Sequence, residues 1–205
     1  MQEDQGGWPQ MYTVIGTVKS RAARVLWMLE ELELPFEHIP APPQSEGVTA
    51  FNPAGKVPVL IDDGTPITDS TAIIQYLADK HRRLTHPAGT LARARQDSLT
   101  QFLLDEFDAN LWTAARHSFV LPEELRNSSI KNTLRWEFER SQKVLMHRMG
   151  EGPFLMGDQM TVPDIILTHC GNWALAARFP IVEHRLSEYL AAMRERPAFK
   201  RAMAR

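Results

Sequence analysis

Two hydrophobic rhythms divide the chain. In the first part the apolar positions come in short, β-branched bursts between turn residues; in the second they recur at helical spacing over long stretches. Met11-Tyr12-Thr13-Val14-Ile15, ended by Gly16, predicts a buried strand. From Ser20 to Leu32, Ala23, Leu26, Trp27, Leu29 and Leu32 recur near helical spacing with Glu30 and Glu31 on the outer side, which predicts the first helix. Pro35 breaks that pattern, and Phe36-Glu37-His38-Ile39 alternates as a second short strand does. A polar, proline-containing stretch from Pro40 to Pro53 reads as a loop with room for a short helix. Val57-Pro58-Val59-Leu60-Ile61 predicts a third strand, Asp62-Asp63-Gly64 a hairpin turn and Pro66-Ile67-Thr68 a fourth strand. Asp69 or Ser70 then caps a helix through Ala78, with Ile73, Ile74 and Leu77 inward.

The breaker Pro87-Ala88-Gly89-Thr90 ends this texture. Helical patterns follow from Leu91 to Arg116, Ser129 to Met149, Pro163 to Ala177 and Glu183 to Arg196. The expected organisation is therefore βαβ, a loop and ββα, then an all-helical half, with no internal repeat.

Composition narrows the function classes. A chain of 205 residues with 43% apolar and 23% charged residues buries a sizeable core, in one large or two small domains. Lys+Arg 23 against Asp+Glu 25, a net charge of -2, leaves no basic footprint, so nucleic acid and anionic membrane are set aside as partners. Cys170 is the only cysteine, which removes an intrachain disulfide, a CxxC redox pair and a cysteine-rich metal cluster, and no metal is expected. No apolar run approaches the roughly 18–20 residues that span a bilayer, and the polar opening from Met1 to Gln10 has no signal-peptide core. The expectation is a cytoplasmic protein in which residues 1–10 are an extension without function.

Four local patterns carry candidate chemistry. Gly16-Thr17-Val18-Lys19-Ser20-Arg21 is a strand-to-helix turn with two hydroxyls, where backbone N–H groups and the positive end of a helix favour an anion or thiolate. A hydroxyl there can donate to a bound sulfur; it can equally serve as a helix cap. In Asn52-Pro53-Ala54-Gly55-Lys56-Val57-Pro58-Val59-Leu60, a proline inside a strand-like run fits an edge, a bulge or a cis bond. With a cis Val57-Pro58 bond the Val57 backbone turns outward to pair with an extended ligand as an added strand would. At Asp69-Ser70-Thr71, a hydroxyl and free N–H groups suit a carboxylate and Asp69 suits an ammonium, a set that fits the zwitterionic end of an amino acid or, again, a plain cap. Thr161-Val162-Pro163-Asp164 is read as a structural capping box.

These strings, in this order, resemble the glutathione transferase superfamily. The resemblance spans Met11 to Arg205 and rests on SRAARVLWMLEELELPFEHI, FNPAGKVPVL, TDSTAIIQYLAD and FLMGDQMTVPDI in register. It implies a thioredoxin-like α/β domain over residues 11–88, an all-α helical bundle over residues 91–205 that supplies the second-substrate pocket, and a homodimer. It implies that glutathione is the co-substrate, with Val57 before Pro58 on its cysteinyl backbone, Asp69 and Ser70 on its γ-glutamyl end and Lys56 near its glycyl carboxylate. Alignment on Arg24 favours Ser20 as the activating hydroxyl, with Thr17 next; Tyr12 falls too early, within the strand. Trp112, Arg116 and His117 are candidates for the pocket of an electrophilic or peroxide substrate, and core packing is the competing reading for Trp112. His169, Cys170 and Trp173 are read as core.

The implied activity is attack of an activated glutathione thiolate on an electrophile. Alternatives within the same resemblance are a glutathione-dependent peroxidase or disulfide reductase, and a non-catalytic glutathione-binding module.

Overall fold

The computed structural model describes residues 11–205, so the expected extension at residues 1–10 lies outside the described residues. The described chain divides into two compact units, residues 11–81 with Pro197–Arg205, and Arg82–Arg196.

The first unit is a four-stranded mixed sheet with helices: β1 (Tyr12–Ile15), α1 (Ala22–Leu32), β2 (Phe36–Ile39), α2 (Glu46–Thr49), β3 (Val59–Asp62), β4 (Thr65–Thr68) and α3 (Ser70–His81). The sheet order is β2-β1-β3-β4, with β1 parallel to β2 and the other two pairs antiparallel. This is the thioredoxin-like arrangement expected. The β3–β4 turn places Asp63 at φ 49 and Gly64 at φ 73, the paired positive angles that a tight hairpin needs and that Asp-Gly supplies. Val25, Leu26, Trp27, Met28 and Leu29 on α1 are all buried, each side chain contributing about 1.5–3 kcal/mol relative to exposure.

Boundaries moved in instructive ways. The first helix begins at Ala22 and not Ser20, because residues 18–21 form turns that end at Arg21, whose side chain makes no capping bond. The third strand begins at Val59, after the cis Val57-Pro58 bond. At the other end of β3, Lys80 of α3 pairs with Asp62 at 2.5 Å and Tyr76 donates to the same oxygen at 2.5 Å. Burial by itself raises the Asp62 carboxyl, but the hydrogen bonds from Lys80 and Tyr76 hold it below the usual range.

The last helix, α9 (Pro197–Met203), belongs to this first unit. The expectation that residues 91–205 form one helical half is corrected there, and the division between the units falls after His81, not after Ala88. Phe199 meets Trp27 edge-on at 5.0 Å, Arg201 and Arg205 each reach Glu30 at 2.7 Å, and the Arg205 guanidinium lies 4.1 Å from the Phe36 ring centre. Burial alone raises Glu30, and the two arginines bring it below its ordinary value.

The second unit is helical: α4 (Leu91–Leu103), α5 (Ala109–Ala115), α6 (Ile130–Arg148), α7 (Val162–Ala177) and α8 (His184–Arg194). The pattern expected as one helix from Leu91 to Arg116 is interrupted by a π-helical turn at Leu104–Asp108, and a second occupies Arg116–Val120. Phe102, Phe107, Phe138 and Phe179 stack edge-on in series, with ring centres 6.0, 5.1 and 5.5 Å apart. Thr161 and Asp164 form the expected capping box ahead of α7. Among the described residues, no helix is long and apolar enough to cross a membrane.

Candidate functional site

Strand register brings three of the four sequence patterns to one end of the sheet. Ile15 pairs with Val59, and Val59 with Thr68. The residues that follow Ile15, precede Val59 and follow Thr68 therefore emerge side by side: the Gly16–Arg21 turn, Val57-Pro58, and Asp69-Ser70.

Gly16 closes the first of these approaches. Its φ of 143 is one that L side chains rarely adopt, and a Cβ there would stand 2.9 Å from Ala22 Cβ and 3.0 Å from Val57 Cβ. Any larger residue would push the turn away from Val57. His38 on β2 fixes the same turn from the other side, its Nε2 2.7 Å from the Gly16 carbonyl oxygen. Within the turn the Ser20 hydroxyl donates to the Thr17 carbonyl at 2.7 Å and accepts from the Ala22 N–H at 3.1 Å. Among the described residues the Thr17 hydroxyl has no hydrogen-bond partner, and both side chains are half-buried.

The loop before Val57 is held by its own amides. Asn52 Nδ2 donates to the Lys56 carbonyl at 2.8 Å, the Ala54 N–H donates to Asn52 Oδ1 at 3.1 Å, and Gln44 Nε2 donates to the Ala54 carbonyl at 3.1 Å. Gly55, at φ 65, is covered so closely by the Gln44 side chain that a Cβ would lie 2.3 Å from it. Lys56 is exposed. Neither the N–H nor the C=O of Val57 is engaged by another described residue, so one extended main-chain segment can pair with it.

Asp69 sits at φ 71, an uncommon position for a non-glycine residue, and its Oδ1 accepts from the Thr71 and Ala72 N–H groups at 2.9 and 3.1 Å. The residue is exposed, and its other carboxylate oxygen faces no partner named in these bonds. Ser70 is buried, its hydroxyl accepting from Arg24 Nη1 at 3.2 Å. Arg24, itself 1% exposed, thereby ties α1 to the start of α3, and neither it nor His38 stood out as a site residue in the sequence. Arg24 served only to set the alignment. The signal that could have found it is an arginine on the apolar face of a helix, a position that demands a buried partner.

Tyr12 is buried in β1 with its hydroxyl 2.9 Å from His81 Nε2. The remaining candidates lie in the helical unit. Trp112, expected as core or pocket, is half-buried on α5. Arg116 Nη2 donates to Thr113 at 3.1 Å, and His117 Nδ1 accepts from the Asn127 N–H at 3.1 Å. A depression of about 520 Å³ in that unit, lined by Ala94, Ser98, Arg148 and Met156 among others, contains none of the three.

Comparison with known proteins gives a consistent result. Residues 16–85 match the N-terminal domain of glutathione S-transferases. Glutathione S-transferase GstA of Escherichia coli O157:H7 is 29% identical over 160 residues, covering 76% of each chain. The crystal structure of a glutathione transferase from Methylococcus capsulatus superposes with a TM-score of 0.80 at 26% identity, over 94% of this chain and 97% of that one. The URE2P6 transferase of Phanerochaete chrysosporium, crystallised with oxidized glutathione, reaches a TM-score of 0.78 at 25% identity over 95% and 96% of the two chains.

Proposed function

Because the chain belongs to the glutathione transferase superfamily, we propose that it binds glutathione at the sheet end described above and activates its thiol for attack on an electrophilic small molecule. The observation that carries this reading is the register Ile15–Val59–Thr68, which sets three complementary groups around one edge. Val57 pairs through its free N–H and C=O with the cysteinyl main chain. The Asp69 oxygen not used in capping takes the γ-glutamyl ammonium, while Ser70, whose hydroxyl accepts from Arg24 and keeps its own proton to donate, meets its carboxylate. Lys56, exposed and next to Val57, meets the glycyl carboxylate.

Those contacts leave the sulfur at the Gly16–Arg21 turn. A free thiol has a pKa of about 8.5, so only a few per cent is thiolate at neutral pH. Ser20 spends its proton on the neutral Thr17 carbonyl in the absence of ligand. A thiolate is a stronger acceptor than that carbonyl, because charge-assisted hydrogen bonds are roughly twice as strong, so the hydroxyl rotates toward it. With the positive end of α1 this lowers the thiol pKa and raises the reactive fraction. The thiolate then forms a bond to the electrophilic carbon, and the leaving group departs with its electron pair or the adduct takes up a proton.

Disulfide chemistry through a protein thiol is disfavoured, since Cys170 is fully buried in the other unit. A second reading, a glutathione-binding module without catalysis, is favoured by the same Ser20–Thr17 bond, which occupies the hydroxyl. Titration of the thiolate absorbance of bound glutathione separates the two. The transferase reading expects a pKa well below that of free glutathione in the wild type and a return toward the free value in Ser20→Ala. An unshifted pKa with glutathione bound leaves the binding module.

A further inference from the structure

We propose that Asp108, His169 and Cys170 form a binding site for a zinc-type divalent cation inside the helical unit. Asp108 closes the π-helical turn at Leu104–Asp108, and His169 and Cys170 stand on α7. Their donor atoms all lie within 4.8 Å of one another, with Cys170 Sγ 4.0 Å from Asp108 Oδ2. A tetrahedral zinc with bonds of about 2.3 Å to sulfur and about 2.0–2.2 Å to nitrogen and oxygen holds its ligands roughly 3.3–3.6 Å apart. Closing by about 1 Å, within the range of side-chain rotation, brings the three donors to that spacing.

Three further features fit a cation. The donor set of one nitrogen, one sulfur and one carboxylate oxygen is that of a borderline metal; hard ions such as calcium or magnesium take oxygen alone. Asp108 is 7% exposed and Cys170 fully buried, so a dication balanced by a carboxylate and a thiolate leaves no net charge in a poorly solvated place. His169 is half-buried, which opens a route from solvent and a fourth position for water. The π turn also matters: one residue inserted into an α-helix rotates all that follows by about 100°, and such turns recur at functional sites. On binding, the metal–sulfur bond forms as the S–H bond breaks, and the proton leaves to solvent.

The test uses the full chain, stripped with chelator and held in glutathione-free buffer, titrated with Co²⁺. Cys170 is the only cysteine, so any sulfur-to-cobalt charge-transfer band reports this site alone. The expected result is saturation at one equivalent with that band, release of one proton, displacement by Zn²⁺, and loss of the band in Cys170→Ser. His169→Gln, a change at a half-buried position, and Asp108→Asn should each weaken cobalt binding by about tenfold or more. A wild type that shows no such band at excess Co²⁺ overturns the proposal. So does a band whose affinity is unchanged in folded His169→Gln and Asp108→Asn, because the thiol would then be binding without the other two.

Discussion

At the start of α7 every polar group has a protein partner. Asp164 Oδ1 accepts from the Leu155 N–H and the Tyr189 hydroxyl at 2.9 and 2.7 Å, while Oδ2 accepts from the Thr161 N–H and hydroxyl at 2.7 and 3.1 Å. At the start of α1 the cap residue makes no side-chain capping bond, the Thr17 hydroxyl has no partner among the described residues, and the neighbouring Val57 offers both main-chain groups. Both regions read in sequence as a hydroxyl residue ahead of an apolar helix. The difference is what remains to be bonded: one helix start is closed on the protein's own carboxylate and stabilises the fold, whereas beside the other, although the Ala22 N–H is taken by Ser20, the Thr17 hydroxyl and the Val57 main chain stay open to a ligand.

The start of α3 lies between these extremes. One Asp69 oxygen is used as a cap, and the residue stays exposed in a left-handed conformation. Strain of this kind persists where the surroundings impose it, and it collects at ligand sites.

Removing the closed partner should have the largest effect. Asp164→Ala strands the buried Tyr189 hydroxyl and the Thr161 and Leu155 N–H groups, and we expect a loss of about 3–5 kcal/mol in urea unfolding. Glutathione affinity of the protein that remains folded should be unchanged; a selective loss of affinity would break the comparison. Next comes the open start: Ser20→Ala should lower kcat/KM by about 10²-fold in a conjugation assay, as expected for loss of one donor to a developing or bound anion. Its unfolding free energy should move by less than about 1 kcal/mol. If stability falls and activity does not, Ser20 is a cap and nothing more.

Asp69→Asn sharpens the intermediate case. Asparagine tolerates the left-handed conformation and keeps the cap, so only the charge is lost. Glutathione KM should rise about tenfold, some 1.4 kcal/mol, with a melting temperature close to wild type. The smallest effect is expected from Asp62, a carboxylate paired with Lys80 and Tyr76 away from any helix start. Its folded pKa lies below the unfolded one, so its stabilisation is fully present above the unfolded value of about 4 and is lost as pH falls through that value toward the folded one. The stability gap between wild type and Asp62→Asn should narrow by about 1 kcal/mol between pH 7 and pH 3.

Much of the candidate site was legible in the sequence because it is built from local signals. Gly16, the Val57-Pro58 pair and Asp69-Ser70 each announce a turn, a strand irregularity or a helix start within a few residues. Arg24 and His38 were missed because their importance depends on where their ends arrive, at the Ser70 hydroxyl and the Gly16 carbonyl. The same limit explains α9. The last helical pattern in the sequence ends at Arg196 and residues 197–205 fall within the expected helical half, whereas Phe199, Arg201 and Arg205 are spent on Trp27, Glu30 and Phe36.

Sequence by itself determined the type and order of most elements up to Arg196, since periodicity, breakers and caps act within one or two turns of chain. It also determined that a single thiol is present and that no long apolar span exists. Only the tertiary structure decided that Ile15, Val59 and Thr68 share one end of a sheet, that the last helix returns to the first unit, and that Asp108 stands beside His169 and Cys170. Those neighbours are far apart along the chain, and their meeting is set by which faces must be buried together, a property of the packed core that no local stretch encodes.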